Sequence, residues 1–242
     1  MKIFRIASCV LALLLVLSLV SCEDEPIGAD FETGTPPEEE YGLPLGTGKI
    51  EGTDVTWEFY GEDLTLYIKG TGAIPEDLIY STEQGANGQP WAAYASGNNE
   101  YKASIKHVVV EEGVTGLSRM SFRNCTYLET VTLPSGMTRI PFDCFTDCVA
   151  LRRVVAKGVT EIGENAFQGC KSLSSLTVSA SLASVGEGAF FGAGTSASKF
   201  TLTLAGTREE WGVAREVLQI PDAQGVNALI GGALADPKFT SK

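Results

Sequence analysis

The chain is 242 residues long, 44% hydrophobic and 20% charged, which leaves room for a sizeable core and excludes a chain that is disordered or fibrous throughout. Thirty acidic residues against 18 basic ones give a net charge of −12, which disfavours nucleic acid and anionic membrane surfaces as partners. No Walker loop, dinucleotide fingerprint or zincin motif occurs, so no cofactor is assigned.

Taken from the start, Lys2 and Arg5 precede an apolar run from Ile6 to Val20 that ends in Leu19-Val20-Ser21-Cys22. A basic start, a short apolar stretch and small residues read as a secretory signal peptide over residues 1–21, and the run is short for a membrane span. The four residues ending at Cys22 resemble a bacterial lipobox, which implies a diacylglycerol on the Cys22 thiol and membrane attachment through that lipid. Cleavage there leaves 16 basic against 30 acidic residues, a net charge of −14. Glu23, Asp24 and Glu25 follow at once and resemble the export signal of Bacteroidota lipoproteins, which implies an outer-membrane location facing the cell exterior. Residues 22–47, with Pro36-Pro37, Glu38 to Glu40 and few bulky apolar side chains, read as a disordered acidic tether.

From Lys49 the composition turns strand-like. Val55 to Phe59 and Leu64 to Ile68 alternate around the turn Tyr60-Gly61-Glu62-Asp63, which predicts a β-hairpin ended by Gly70-Thr71-Gly72. A polar loop from Gly85 to Asn99 is broken by Gln89-Pro90-Trp91. Residues 48–104 are assigned as an N-terminal β cap, with Trp57 and Trp91 as packing residues that cover the raw apolar end of the segment beginning at Ile105.

Four phenylalanines then recur at spacings of 23, 22 and 23: Phe122, Phe145, Phe167 and Phe190. Eight residues before each stand Val114, Met137, Val159 and Leu182; five before stand Leu117, Ile140, Ile162 and Val185. Three after come Cys125, Cys148, Cys170 and Ala193, and six after come Leu128, Leu151 and Leu173, with Ser196 breaking the column. Self-similarity at this period marks a solenoid. Leu128-x-x-Val131-x-Leu133, Leu151-x-x-Val154-x-Ala156 and Leu173-x-x-Leu176-x-Val178 have leucine-rich spacing, and Val108/Val110 and Leu202/Leu204 extend the column. The segment Val159 to Leu173, reading V-T-E-I-G-E-N-A-F-Q-G-C-K-S-L, resembles the BspA-like, treponemal type of leucine-rich repeat. Trp57, Leu66, Ile68, Gly70, Gly72 and Pro90-Trp91 extend the resemblance upstream.

About four coils are therefore expected over residues 105–204, with parallel strands in one sheet. The loss of leucine at Ser196 marks where the repeats give way to a C-terminal helical cap over residues 205–242. Its helix opens on the capping box Thr207-Arg208-Glu209-Glu210 and turns Trp211, Ala214, Val217 and Leu218 inward. Pro221 stops it, and Asp222 to Ala233 is a weaker second helix. The expected class is mainly β: a short leucine-rich-repeat solenoid with an N-terminal β-hairpin cap and a C-terminal helical cap.

The chemistry-bearing residues mostly fall into packing columns. Cys125, Cys148 and Cys170 share one column and Cys144 fills a small position in another, so free buried thiols are expected; a disulfide between coils or a metal site are the alternatives. His107 alternates with Val108 and faces outward, with no nucleophile in sequence to serve as its partner, so no catalytic residue is assigned. The same alternation places His107, Val109, Thr130, Thr132, Arg153, Val155, Ser175, Thr177, Thr201 and Thr203 on one outward strip, the candidate binding face. Resemblance implies a surface-displayed binding module acting in adhesion, with a host or microbial surface or matrix protein as partner. The alternative is a glycan-binding accessory of a polysaccharide-uptake system, which would require Trp57, Trp91 or Tyr94 exposed side by side.

Overall fold

The computed structural model describes residues 42–78, 89–94, 104–197, 199–217, 233 and 236–240. The leader, Cys22, Glu23, Asp24, Glu25, nearly all of the acidic tether, Leu218, Pro221 and the second helix apart from Ala233 lie outside the described residues.

Strands β1 (Gly46–Lys49), β2 (Asp54–Tyr60) and β3 (Thr65–Ala73) pair antiparallel in that order. The hairpin of β2 and β3 is the expected one, while β1 corrects the boundary at residue 48: Gly46 and Thr47 are sheet, not tether. The reason is that this strand lies across aromatic rings and needs to lack side chains. A Cβ on Gly46 would stand 2.4 Å from Tyr94 Oη, and one on Gly48 would stand 2.6 Å from Trp57 Nε1. Strand β3 also outruns its expected end, since Gly70-Thr71-Gly72 lies inside it. Its first half pairs in parallel with β4 (His107–Val110), and its last residues pair with β5 (Val114–Gly116). Gly70, at φ +111°, makes that change of partner possible, because a Cβ there would sit 2.0 Å from the Asp54 carbonyl oxygen. Strand β3 thus supplies one coil's worth of backbone ahead of the first phenylalanine.

The coils continue through β6 (Thr130–Thr132), β7 (Arg139–Ile140), β8 (Arg153–Ala156), β9 (Glu161–Ile162), β10 (Ser175–Ser179), β11 (Ser184–Val185) and β12 (Thr201–Ala205). The main sheet runs β1-β2-β3-β4-β6-β8-β10-β12 and ends on one further strand; from β3 onward every pair along it is parallel. Strands β7, β9 and β11 form a second parallel sheet that the sequence pattern did not announce. They are two residues each and end on the apolar position five residues before the phenylalanine.

Between the sheets lies one core. Phe122, Phe145, Phe167 and Phe190 stack with centroids 5.4–5.5 Å apart and planes within 8° of parallel. Trp91 caps the stack 5.6 Å from Phe122. Each ring is fully buried, worth about 2–3 kcal/mol of transfer free energy, and each offset ring pair adds about 0.5–1.5 kcal/mol. The backbone holds the stack with a periodic ladder: Phe122, Phe145 and Phe167 N–H groups donate to the carbonyls of Cys144, Ala166 and Ala189 in the next coil. That ladder is accompanied by a left-handed residue two before and two after each phenylalanine. Met120, Asp143, Asn165 and Gly188 hold the first position, and Asn124, Asp147, Gly169 and Gly192 the second. Asn, Asp and Gly are the residues that tolerate this conformation, so the two columns follow from backbone sterics.

At the C-terminal end the coil before β12 is stretched. Register spacings of 23, 23 and 22 residues along the sheet become 26 between Ser175 and Thr201, and buried Phe200 stands just before β12. Helix α1 (Arg208–Val217) opens with the expected capping box: Glu210 N–H donates to Thr207 Oγ1 at 3.1 Å and Thr207 N–H to Glu210 Oε2 at 2.8 Å. Trp211 and Ala214 turn inward and are buried. The helical cap is as expected, and β13 (Lys238–Thr240) adds to it by pairing in parallel with β12 and ending the main sheet. Three residues with no counterpart in the repeat carry no periodic signal.

Candidate binding face

The strand register turns the ten outward residues into two rows. Across β4, β6, β8, β10 and β12 the first row is His107, Thr130, Arg153, Ser175 and Thr201, and the second is Val109, Thr132, Val155, Thr177 and Thr203. All ten are half-buried, while their neighbours Val108, Val131, Val154, Leu176 and Leu202 are buried in the core. Alternation therefore placed the strip correctly, because a one-residue slip would send the whole apolar set into water.

His107 Nδ1 lies 2.8 Å from Thr130 Oγ1, its hydrogen-bond partner among the described residues. Burial outweighs the attraction of the Glu129 and Asp63 carboxylates and holds the imidazole pKa below its ordinary 6.5. The ring is thus neutral at pH 7, and it is joined to the Thr130 hydroxyl with no carboxylate hydrogen-bonded to its other nitrogen among the described residues. Arg153 is different again. Arg119 pairs with Asp77, Arg123 with Asp143, Arg139 with Glu76, and Arg152 with Glu129, while Arg208 lies over Phe239. Among the described residues the side chain of Arg153 has no carboxylate, hydrogen-bond or ring partner.

Sequence reasoning missed how the outward side of the sheet closes at the N-terminal cap, where Thr65 and Tyr67, in line with the two rows, are buried. Thr65 pairs with His107 and Tyr67 with Val109, and Glu58 pairs with Tyr67. The ammonium of Lys69 stands 3.0 Å from Glu58 and 3.9 Å from Glu111, and Tyr60 Oη donates to Glu58 at 2.8 Å. Burial opposes the ionisation of Glu58, but the hydrogen bonds of Lys69 and Tyr60 and the Lys69 charge hold its pKa below the usual value; Glu111 is pushed up, chiefly by burial. The signal was available in the alternation of β2, where Thr56, Glu58 and Tyr60 are the outward partners of Trp57 and Phe59.

The aromatic platform required by a glycan site is absent from these positions. Trp57, Trp91 and Tyr94 do lie together, with the Trp57 centroid 6.5 and 6.3 Å from the other two, but both tryptophans are buried and Trp91 Nε1 donates to the Ser121 carbonyl at 2.9 Å. The thiols are packing groups too. Cys125, Cys144, Cys148 and Cys170 are free and buried, and Cys148 and Cys170 donate to the carbonyls of Phe122 and Phe145 one coil back, at 3.0 and 3.1 Å. Burial pushes the Cys125 pKa up to about 12 and raises the other three, so none is a ready nucleophile.

Comparison with known proteins agrees with this architecture. Residues 98–207 match the family described as "BspA type Leucine rich repeat region (6 copies)". Among solved structures, the chain is similar to a leucine-rich repeat protein from Eubacterium ventriosum (20% identity over 68% of this chain and 41% of that one, TM-score 0.46). It is also similar to a leucine rich cell surface protein from Faecalibacterium prausnitzii (20% identity, 69% and 42%, TM-score 0.42). A leucine rich repeat protein from T. pallidum matches at 18% identity over 80% of this chain and 98% of that one, with a TM-score of 0.40. The chain spans about two fifths of the length of the first two. No curated protein matches it. By its period of about 23 residues, its parallel sheet and its stacked phenylalanines, the repeat region of this chain is similar to the BspA-type leucine-rich repeats, whose family model it matches over residues 98–207.

Proposed function

We propose that this chain is a lipid-anchored cell-surface binding module that holds a host or microbial surface or matrix protein on the outward face of its main sheet. The observation that carries the reading is the pair of unbroken rows from His107 to Thr201 and from Val109 to Thr203, repeated at one strand spacing and left open by the core on the other side. Solenoids use such extended surfaces for binding, and the analogy is architectural. A binding role is favoured over catalysis because the polar groups of the strip are spread evenly along the rows, where a reaction centre would gather them. Lipidation at Cys22 and export through Glu23, Asp24 and Glu25 supply the placement on the exterior of the outer membrane.

Two experiments test this reading. The double variant Thr132→Lys/Thr177→Lys, with an unchanged thermal transition, is expected to lose capture from a panel of matrix proteins and bacterial cells, whereas Glu164→Lys on a turn is not. Capture that is indifferent to the double variant would move the site elsewhere. For placement, Cys22→Ser is expected to release the protein from the membrane fraction, and replacing Glu23, Asp24 and Glu25 by alanine to abolish protease accessibility on intact cells. Unchanged accessibility would sink the export reading.

A further inference from the structure

We infer that Arg153 is the recognition point of the outward face and that it takes a single carboxylate presented by an otherwise uncharged stretch of a protein partner. The inference rests on the binding face proposed above and names the chemistry that the face selects. Three observations support it. Among the described residues, every other arginine whose side chain is described is occupied by a carboxylate or an aromatic ring, and Arg153 is not. An arginine fork is built for carboxylate geometry, and this half-buried one stands in the middle of the sheet with its fork available to a partner from outside. Second, its register neighbours are Thr130 and Ser175, polar and uncharged; the Ser175 hydroxyl adds a donor on the adjacent strand without competing for the charge. The neutral His107, tied to Thr130, adds no second cation.

Third, charge is segregated over the surface. The strip from β4 to β12 carries no acidic residue, although the chain is strongly acidic, and exposed carboxylates such as Glu112, Glu161, Glu164 and Glu187 sit off it. One cation among valine and threonine methyls suits one carboxylate and apolar contacts around it. A polysulfated glycan needs several cations together and would meet the repulsion of the whole chain, so a protein partner is the better fit.

The test uses the lipid-free chain and the peptide acetyl-Val-Glu-Thr-amide with its glutamine counterpart, followed by NMR at the arginine Nε–Hε signals. The expected result is a saturable shift at Arg153 with the glutamate peptide, at least tenfold weaker binding of the glutamine peptide, and the same loss in Arg153→Ala, consistent with one charge-assisted contact. Lys157→Glu, on an exposed position off the face, is expected to leave binding unchanged. Equal shifts with both peptides, or none at Arg153, would overturn the inference, as would a heparin disaccharide that shifts Arg153 when the peptide does not. The capture assay separates the two readings. Capture lost in Thr132→Lys/Thr177→Lys but retained in Arg153→Ala would overturn the carboxylate site alone, and capture retained in both would overturn the face itself.

Discussion

Two single residues depart from what their positions ask for. Met120 is the one long aliphatic side chain in the two left-handed columns, at φ +59°, where its counterparts are Asp143, Asn165 and Gly188. Such a residue carries about 1–2 kcal/mol of backbone strain, and asparagine relieves much of it. Met120→Asn is therefore expected to raise stability by about 0.5–1 kcal/mol in urea unfolding, and a loss of stability would show that the methionine packing, including its contact with Arg123, outweighs the strain. His107 departs in its protonation. Because burial holds its folded pKa below 6.5, the unfolded chain takes the proton first as pH falls, so stability drops as pH goes down through that value. His107→Thr removes the titrating group and is expected to flatten the fall in thermal midpoint between about pH 7 and pH 5.5. An equally steep profile in the variant would assign the slope to other groups.

At the scale of the element, the phenylalanine stack does in this fold what a helix does in others: it fills the space behind the sheet and sets the coil spacing. Phe145 has a ring on either side at 5.4 and 5.5 Å and no exposed surface, so Phe145→Ala opens a cavity in the middle of the column. A loss of about 3–5 kcal/mol is expected in chemical unfolding, with Phe145→Leu losing clearly less, and similar small losses in both would mean that neighbouring coils collapse into the gap. This column, the valine and leucine column of the main sheet and the cysteine column were all legible in the sequence, because repeated copies of one offset point to the same packing layer. The left-handed columns were legible in principle, through Asn124, Asp147 and Gly169 or Asp143 and Asn165, but Met120 hides the first and no apolar period draws attention to them. Strand β1 was not legible at all. Its Gly46 and Gly48 read as linker composition, and only the rings of Tyr94 and Trp57 against them explain why glycine is required.

At the scale of the whole molecule, the main sheet has two ends, and the sequence predicted a cover for each, from the alternation of Val55 to Ile68 at one end and the capping box at Thr207 at the other. The N-terminal cover is a set of antiparallel strands with two buried tryptophans, close to expectation. The C-terminal cover is not the helix by itself, since β13 pairs with the last repeat strand through Thr203, Leu204 and Ala205, and Gly206 N–H donates to the Thr240 carbonyl at 2.9 Å. Phe239 on β13 packs against the core, and its ring lies under Arg208 of α1, so the strand also ties the helix in place. An uncovered β12 would present a row of free backbone donors and acceptors beside buried Leu202 and Leu204, which is a template for pairing with a second copy. A chain stopped after Ala235 is therefore expected to melt lower than the full chain and to elute as dimers or larger species at concentrations where the full chain does not. Phe239→Ala keeps the backbone pairing and removes the ring, so it is expected to lose about 1–2 kcal/mol without associating. If both changes lower the melting point and neither drives association, β13 serves as packing alone and the edge of β12 is protected by α1.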